Sequence, residues 1–240
     1  MAGTDTKQRI LDAAERLFAS RGFAGTSLRA VTREARVNLA AIHYHFGTKE
    51  DLLRAVLSRI VIPVNRERLE MLEQVEAAAG SDPPSLEAIL ESFIAPDLRL
   101  IRDLGERGLI ITRFLGRSYT EPAEMVQALS REHYEELGQR FMEAFARALP
   151  EVPHAELYWR FKLVVGVLTY ILADTDRTGE YAEELSDVDR TVRRLVAFLA
   201  AGLRAPVPTP RRQDRAKEGA SSRAAQARSA PDDPRDGDTK

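Results

Sequence analysis

Between residues 26 and 49 the chain collects side chains suited to contacting a nucleic acid. Thr26, Ser27 and Arg29 stand at the start of one short amphipathic segment. Asn38, Ala40, Ala41, His43, Tyr44 and His45 follow on a second, with Lys49 just beyond it. Small residues at 40 and 41 let a helix approach closely, and alanine methyls can meet thymine methyls. Tyr44 offers a phenol to a phosphate oxygen. Lys49 sets a charge beside the exposed backbone N–H groups that open the next helix, an arrangement suited to phosphate. His43 and His45 form an H-x-H pair, but on a helix the two rings splay apart with no cysteine or carboxylate partner nearby, so no metal site is expected.

Two short helices must carry these groups. Leu28, Val31 and Ala35 recur at helical spacing behind a Thr26 or Ser27 cap, which predicts a helix over 27–35. A second helix starts afresh at Asn38 and runs over 38–44, with Arg36 and Val37 in the turn. Ile42 and Phe46 read as core. A helix-turn-helix places its second helix in the major groove while the first crosses the backbone. Helices this short cannot bury themselves alone, and the chain supplies neighbours on both sides. Asp5 with Gln8 resembles a capping box, and Ile10, Leu11, Ala14, Leu17 and Phe18 form a stripe that ends at Gly22, predicting a first helix over 5–21. Thr48 with Asp51 starts a fourth helix whose buried face is Leu52, Leu53, Val56, Leu57 and Ile60. Pro63 lacks an amide donor and clashes with the Arg59 carbonyl, so a kink or break is expected there.

From Val64 onward every periodic segment has helical spacing, with breaks expected at 80–84, 96, 105–108, 117–122, 150–153 and 178–181. The fold class is therefore all-α: an N-terminal three-helix DNA-binding domain over 1–50, a helical body over 51–204, and a disordered tail over 205–240. The tail is rich in Pro, Arg, Ala, Ser, Asp and Gly. Residues 157–173 are apolar nearly all round, and 188–203 carries a narrow seam of Val192, Leu195, Val196, Leu199 and Leu203. Together they suggest a helical dimer interface, against the simpler reading of two core helices of a monomer.

Composition bounds the function. There is no cysteine, which excludes disulfides and thiolate metal sites and fits a reducing cytoplasm. The longest apolar run, residues 163–173, is too short to span a bilayer, so no membrane partner is expected. The net charge of −2 is unevenly spread: residues 1–60 hold 10 Lys/Arg against 6 Asp/Glu, residues 61–204 hold 17 against 25, and the remainder holds 8 against 6. A basic head on an acidic body presents only one end to phosphate. No nucleophile, base or metal cluster suggests catalysis, since His133 and His154 stand alone, and no cofactor is expected.

Residues 6–60 resemble the DNA-binding domain of the TetR family of transcriptional regulators, in RILDAAERLFASRGFAGTS, LRAVTREARV and IHYHFGTKEDLL. The resemblance implies a DNA reader joined to a helical domain that dimerises and holds a small-molecule pocket, with repression relieved by ligand. Carried over by position, it implies phosphate contacts at Thr26, Ser27, Tyr44 and Lys49 and base contacts at Arg29, Asn38, Leu39, Ala40, Ala41 and His43. Where the family often has Gly in the turn this chain has Arg36. Where it often has Ser-Lys-Gly this chain has Asn38-Leu39-Ala40; Arg36 either replaces the missing lysine charge or lies in solvent. The segments VNRERLEML and LYWRFKLVVGVLTYILAD are similar to a branch that includes sensors of fatty acids or acyl-CoA esters. On that reading Phe93, Phe114, Phe141, Phe145, Trp159 and Tyr170 line an apolar cavity, and Arg113 or Arg160 meets an acidic head group. The expected protein is a homodimeric repressor, released from a pseudo-palindromic double-stranded operator by a small apolar or acyl effector. The alternative is a helical small-molecule-binding adaptor or enzyme with a vestigial DNA-binding head.

Overall fold

The computed structural model describes residues 2–105, 107–108, 110–111, 124–173 and 187–207. Within them every regular element is a helix: α1 Ala2–Arg21, α2 Leu28–Ala35, α3 Leu39–His45, α4 Lys49–Ala79, α5 Leu86–Leu104, α6 Glu124–Ala148, α7 His154–Ala173 and α8 Val188–Leu203. The expected breaks at 117–122 and 178–181, and all of the tail from 208, lie outside the described residues.

The apolar stripe of α1 is buried as its spacing predicts, with Ile10, Ala14 and Phe18 almost wholly shielded from solvent. Val31 and Ala35 from α2, Ile42 from α3, and Leu52, Leu53, Val56, Leu57, Ile60 and Val61 from α4 complete this first cluster. A second cluster is built on Leu72 of α4, Leu90 and Ile94 of α5, Phe141 and Phe145 of α6, Leu157 and Phe161 of α7, and Val192 and Leu199 of α8. Both clusters bury residues of α4. With 31 residues, α4 is about 46 Å long.

Helix continuity removes the break expected at 96 and, of the kink or break expected at Pro63, the break. Pro63 lies inside α4 and Pro96 inside α5, and neither ends its helix. An interior proline costs about 3 kcal/mol, but Ile60, Val61 and Val64 around Pro63, and Phe93, Ile94 and Leu98 around Pro96, are all buried. At about 1.5–3 kcal/mol per buried side chain, packing on both sides outweighs the local penalty. The seam on α8 is also reassigned. Val192, Val196, Leu199 and Leu203 are buried in the chain's own second cluster, so that stripe faces inward.

Two charged junctions tie the layers together. The carboxylate of Glu15 on α1 is buried and is held by Arg59 from α4 and by Arg107, whose Nε and Nη2 donate at 3.0 and 3.3 Å. Arg59 also donates to Asp12 at 2.6 Å. Ile111 is buried in the first cluster and Leu100 and Leu104 pack against it, although all three lie far along the chain. The hydrogen bonds that Arg107 donates to Glu15 hold its guanidinium above its ordinary value. Deeper in the body, Arg68 of α4 pairs with Asp97 of α5, donates from Nε to the Phe93 carbonyl at 2.8 Å and from Nη1 to Asn65 at 3.2 Å, and lies over the Phe93 ring. Burial pushes the Asp97 carboxyl above the usual carboxylate range, with the Arg68 charge pulling against it.

Asp97→Leu leaves Arg68 buried without its counter-charge and should cost about 3–5 kcal/mol, whereas Arg68→Met with Asp97→Leu should recover most of that loss. Urea denaturation of the two variants checks this, and equal destabilisation would contradict it.

Candidate nucleic-acid interface

The α2–α3 unit is shaped by its caps. Ser27 accepts from the Ala30 amide at 3.2 Å and Asn38 from the Ala41 amide at 2.8 Å, so each short helix starts with its orphan donors partly satisfied. Arg36 closes α2 in the left-handed region at φ 53°, with its amide on the Arg33 carbonyl and the Val37 amide on the Thr32 carbonyl. The turn requires that conformation, which explains why glycine suits this position, and here an arginine side chain pays for it in strain. Upstream, a Cβ on Gly25 would sit 2.4 Å from the Arg21 carbonyl oxygen, so only glycine fits where the chain leaves α1.

Helix α3 inserts Ile42 into the first cluster, which turns Leu39, Ala40, His43 and Tyr44 outward; Tyr44 is 85% exposed. Ala41 and His45 are half-buried at the margins of that face, and the His45 ring packs edge-on against Tyr44 at 5.0 Å. Arg29 and Ser27 are exposed at the start of α2. Nδ1 of His43 lies 2.9 Å from the carbonyl oxygen of Gly47. The next helix begins with a full capping box between Thr48 and Asp51.

Three expected contact residues have other commitments. Thr26 is buried, and its hydroxyl lies 3.1 Å from the Leu17 carbonyl and 2.8 Å from that of Gly22, so it secures the end of α1 and is withdrawn from the phosphate surface. Asn38 uses its carbonyl oxygen as a cap. Lys49 holds its ammonium 4.1 Å from the centroid of the Phe23 ring, a cation–π contact that ties the charged end of the side chain to that ring. Phe23 falls in a connection with no periodicity, so its spacing in the sequence does not mark it.

The expected ligand residues are scattered. Phe93, Phe141 and Phe145 are buried and pack with Phe161, with ring centroids 5.0–6.4 Å apart, as part of the core. Trp159 and Tyr170 are 58% and 64% exposed, because α7 directs Leu157, Phe161, Val164, Leu168 and Leu172 inward. Arg160 donates to Glu156 at 2.8 Å and to the Leu203 carbonyl at 2.6 Å, closing the end of α8. Arg113 and Phe114 lie outside the described residues. Leu163, Gly166, Val167 and Tyr170 of α7 and Phe198 and Gly202 of α8 line an open apolar groove of about 550 Å³. Among the described residues no cluster of His, Asp or Glu could hold a metal ion, and no helix is long and apolar enough to cross a membrane.

An inward Ile42 beneath an outward helical face, carried by capped short helices, is the architecture of a DNA reader, and comparison with known proteins names it. Residues 10–56 match the family model for bacterial regulatory proteins of the tetR family, and 91–202 match the tetracyclin repressor-like C-terminal domain. The chain belongs to the TetR family. A transcriptional repressor of Mycobacterium tuberculosis is 33% identical over 140 residues, 58% of this chain and 67% of the relative. The repressor KstR of Rhodococcus jostii is 29% identical over 144 residues, 54% of this chain and 68% of the relative. Among solved structures, AibR in complex with isovaleryl coenzyme A and operator DNA superposes with a TM-score of 0.57 at 20% identity, covering 80% of this chain and 98% of that one. The TetR-family chain is thus a helix-turn-helix transcriptional regulator.

Two substitutions test how the reader is built. Arg36→Gly should raise stability by about 0.5–1 kcal/mol by relieving the left-handed backbone, read as a higher denaturation midpoint. Hydrogen bonds from the Thr48 hydroxyl and amide, with Arg54 nearby, hold the Asp51 carboxylate below its ordinary value of 3.8. Its contribution is therefore present above 3.8 and lost as pH falls through the lower folded value. Asp51→Asn should be less stable than the native chain at pH 7, and the gap should close in acid.

Proposed function

We propose that this regulator acts as a homodimeric repressor that reads a pseudo-palindromic operator and releases it when the helical body binds a small apolar or acyl effector. The observation that carries the DNA-reading part is the outward face of α3, raised on its caps and turned by the buried Ile42. Within this reading the base-contacting group is Arg29, Asn38 through its free amide nitrogen, Leu39, Ala40, Ala41 and His43. Ser27, Tyr44, His45 and Lys49 serve the phosphates.

Dimerisation rests on α7 and α8. Trp159, Leu163, Tyr170 and Phe198 are all at least half exposed, and a cluster of large apolar side chains left open to water marks an interaction face. A second copy of the same face supplies matching groups by two-fold symmetry and sets two α3 helices one DNA turn, about 34 Å, apart. The effector class draws support from AibR, a structural neighbour solved with isovaleryl coenzyme A. Effector response requires a joint between body and head. Continuous α4 and the Glu15–Arg59–Arg107 junction favour that contact over a hinge at Pro63. A hundredfold loss of operator affinity needs about 2.7 kcal/mol of difference in effector affinity between the two states.

Duplex binding followed against salt should fall steeply on a log–log plot, with Tyr44→Ala weakening all sequences alike. A flat salt response would instead support the adaptor reading. Tyr170→Asp and Phe198→Asp alter exposed side chains, so they should leave the monomer folded while shifting light-scattering mass from dimer to monomer. Unchanged mass in both would remove this face as the dimer interface.

A further inference from the structure

We propose that His43 reads an exocyclic amino group of adenine or cytosine in the major groove, because the protein itself fixes which ring nitrogen carries the proton. The inference rests on the DNA-reading function above and assigns the chemistry of one contact within it. A backbone carbonyl oxygen can only accept. With Nδ1 2.9 Å from the Gly47 oxygen, the hydrogen of the neutral imidazole belongs on Nδ1, which leaves a lone pair on Nε2. The arrangement is closed from the other side: the Gly47 amide donates back to the His43 carbonyl at 3.1 Å and to Ile42 at 3.3 Å. Gly47 holds this reciprocal pair at φ 79°, a conformation that side-chain-bearing residues rarely adopt.

His43 is exposed on the outward face of α3, one turn beyond Leu39 and adjacent to Tyr44. An acceptor presented from that face finds only two base donors in the major groove, the N6 amine of adenine and the N4 amine of cytosine. Guanine N7 and O6 and thymine O4 are acceptors and repel it. Arg29, which has donors only, takes the opposite edges. The two residues thereby divide the groove's code between them, and the loss of lysine at Leu39 leaves the acceptor at 43 with a larger share of specificity.

The test begins with full-length protein and duplexes enriched from a random pool at pH 8. Each adenine of the selected site is then replaced in turn by purine, and each cytosine by pyrimidin-2-one, which remove the amine and keep the ring. At one position per half-site the native protein should lose about fivefold in affinity, the typical worth of one hydrogen bond. His43→Ala should lose nothing further at that position, and His43→Gln, which restores an acceptor, should regain sensitivity to the missing amine. Operator binding with no position whose amine sensitivity depends on residue 43 overturns the assignment while leaving the DNA-reading function standing. Failure to bind any duplex in a salt-dependent manner removes that function and the assignment with it.

Discussion

A buried carboxylate shared between two guanidinium groups is the contact on which the rest of this molecule turns. Glu15 sits on the first helix, Arg59 midway along α4, and Arg107 beyond α5, so the group joins the DNA-reading head to the helical body at one point. An isolated carboxylate taken out of water costs several kcal/mol, and that cost enforces the pairing. Either arginine alone would keep the charge compensated. Having both places the body's own residue in the head's electrostatic balance. Leu100, Leu104 and Ile111, from the same stretch as Arg107, belong to the hydrophobic cluster of the first helices.

Helix α4 extends the connection made by that contact. It begins with the Thr48–Asp51 box and places buried residues in both clusters, Leu52 to Val61 in the first and Leu72 in the second. Proline at 63 is tolerated because the residues around it are buried. The reader at one end is anchored by few fully buried side chains: α2 and α3 bury Val31, Ala35 and Ile42, with Leu28, Ala30 and Ala41 partly buried beside them, and caps and the reciprocal hydrogen bonds of His43 and Gly47 add to that packing. A site built this way keeps its exposed side chains in defined positions at small cost in buried area.

Much of this was legible in the residue order. The period of Ile10, Leu11, Ala14, Leu17 and Phe18, the caps at Ser27, Asn38 and Thr48, and the terminating Gly22 all act within a few residues of themselves, and such local rules can be read along a chain. The candidate ligand set shows where legibility stopped. Phe93, Phe141 and Phe145 are apolar at helical spacing whether they line a cavity or fill a core, and here they stack on one another with Phe161. Trp159 and Tyr170 are exposed on α7, with Tyr170 lining the groove between α7 and α8, since the rotation of α7 is set by what it packs against.

The sequence by itself determined the all-helical class and the helix-turn-helix, because periodicity and capping are short-range, and its motifs carried the resemblance to the family. Tertiary structure alone decided that Thr26 belongs to the end of α1, that the α8 seam faces inward, and that Glu15 meets Arg107, 92 residues away. Those outcomes depend on which surfaces meet once the helices pack. Burial then obliges each polar group to find a partner wherever in the chain one lies.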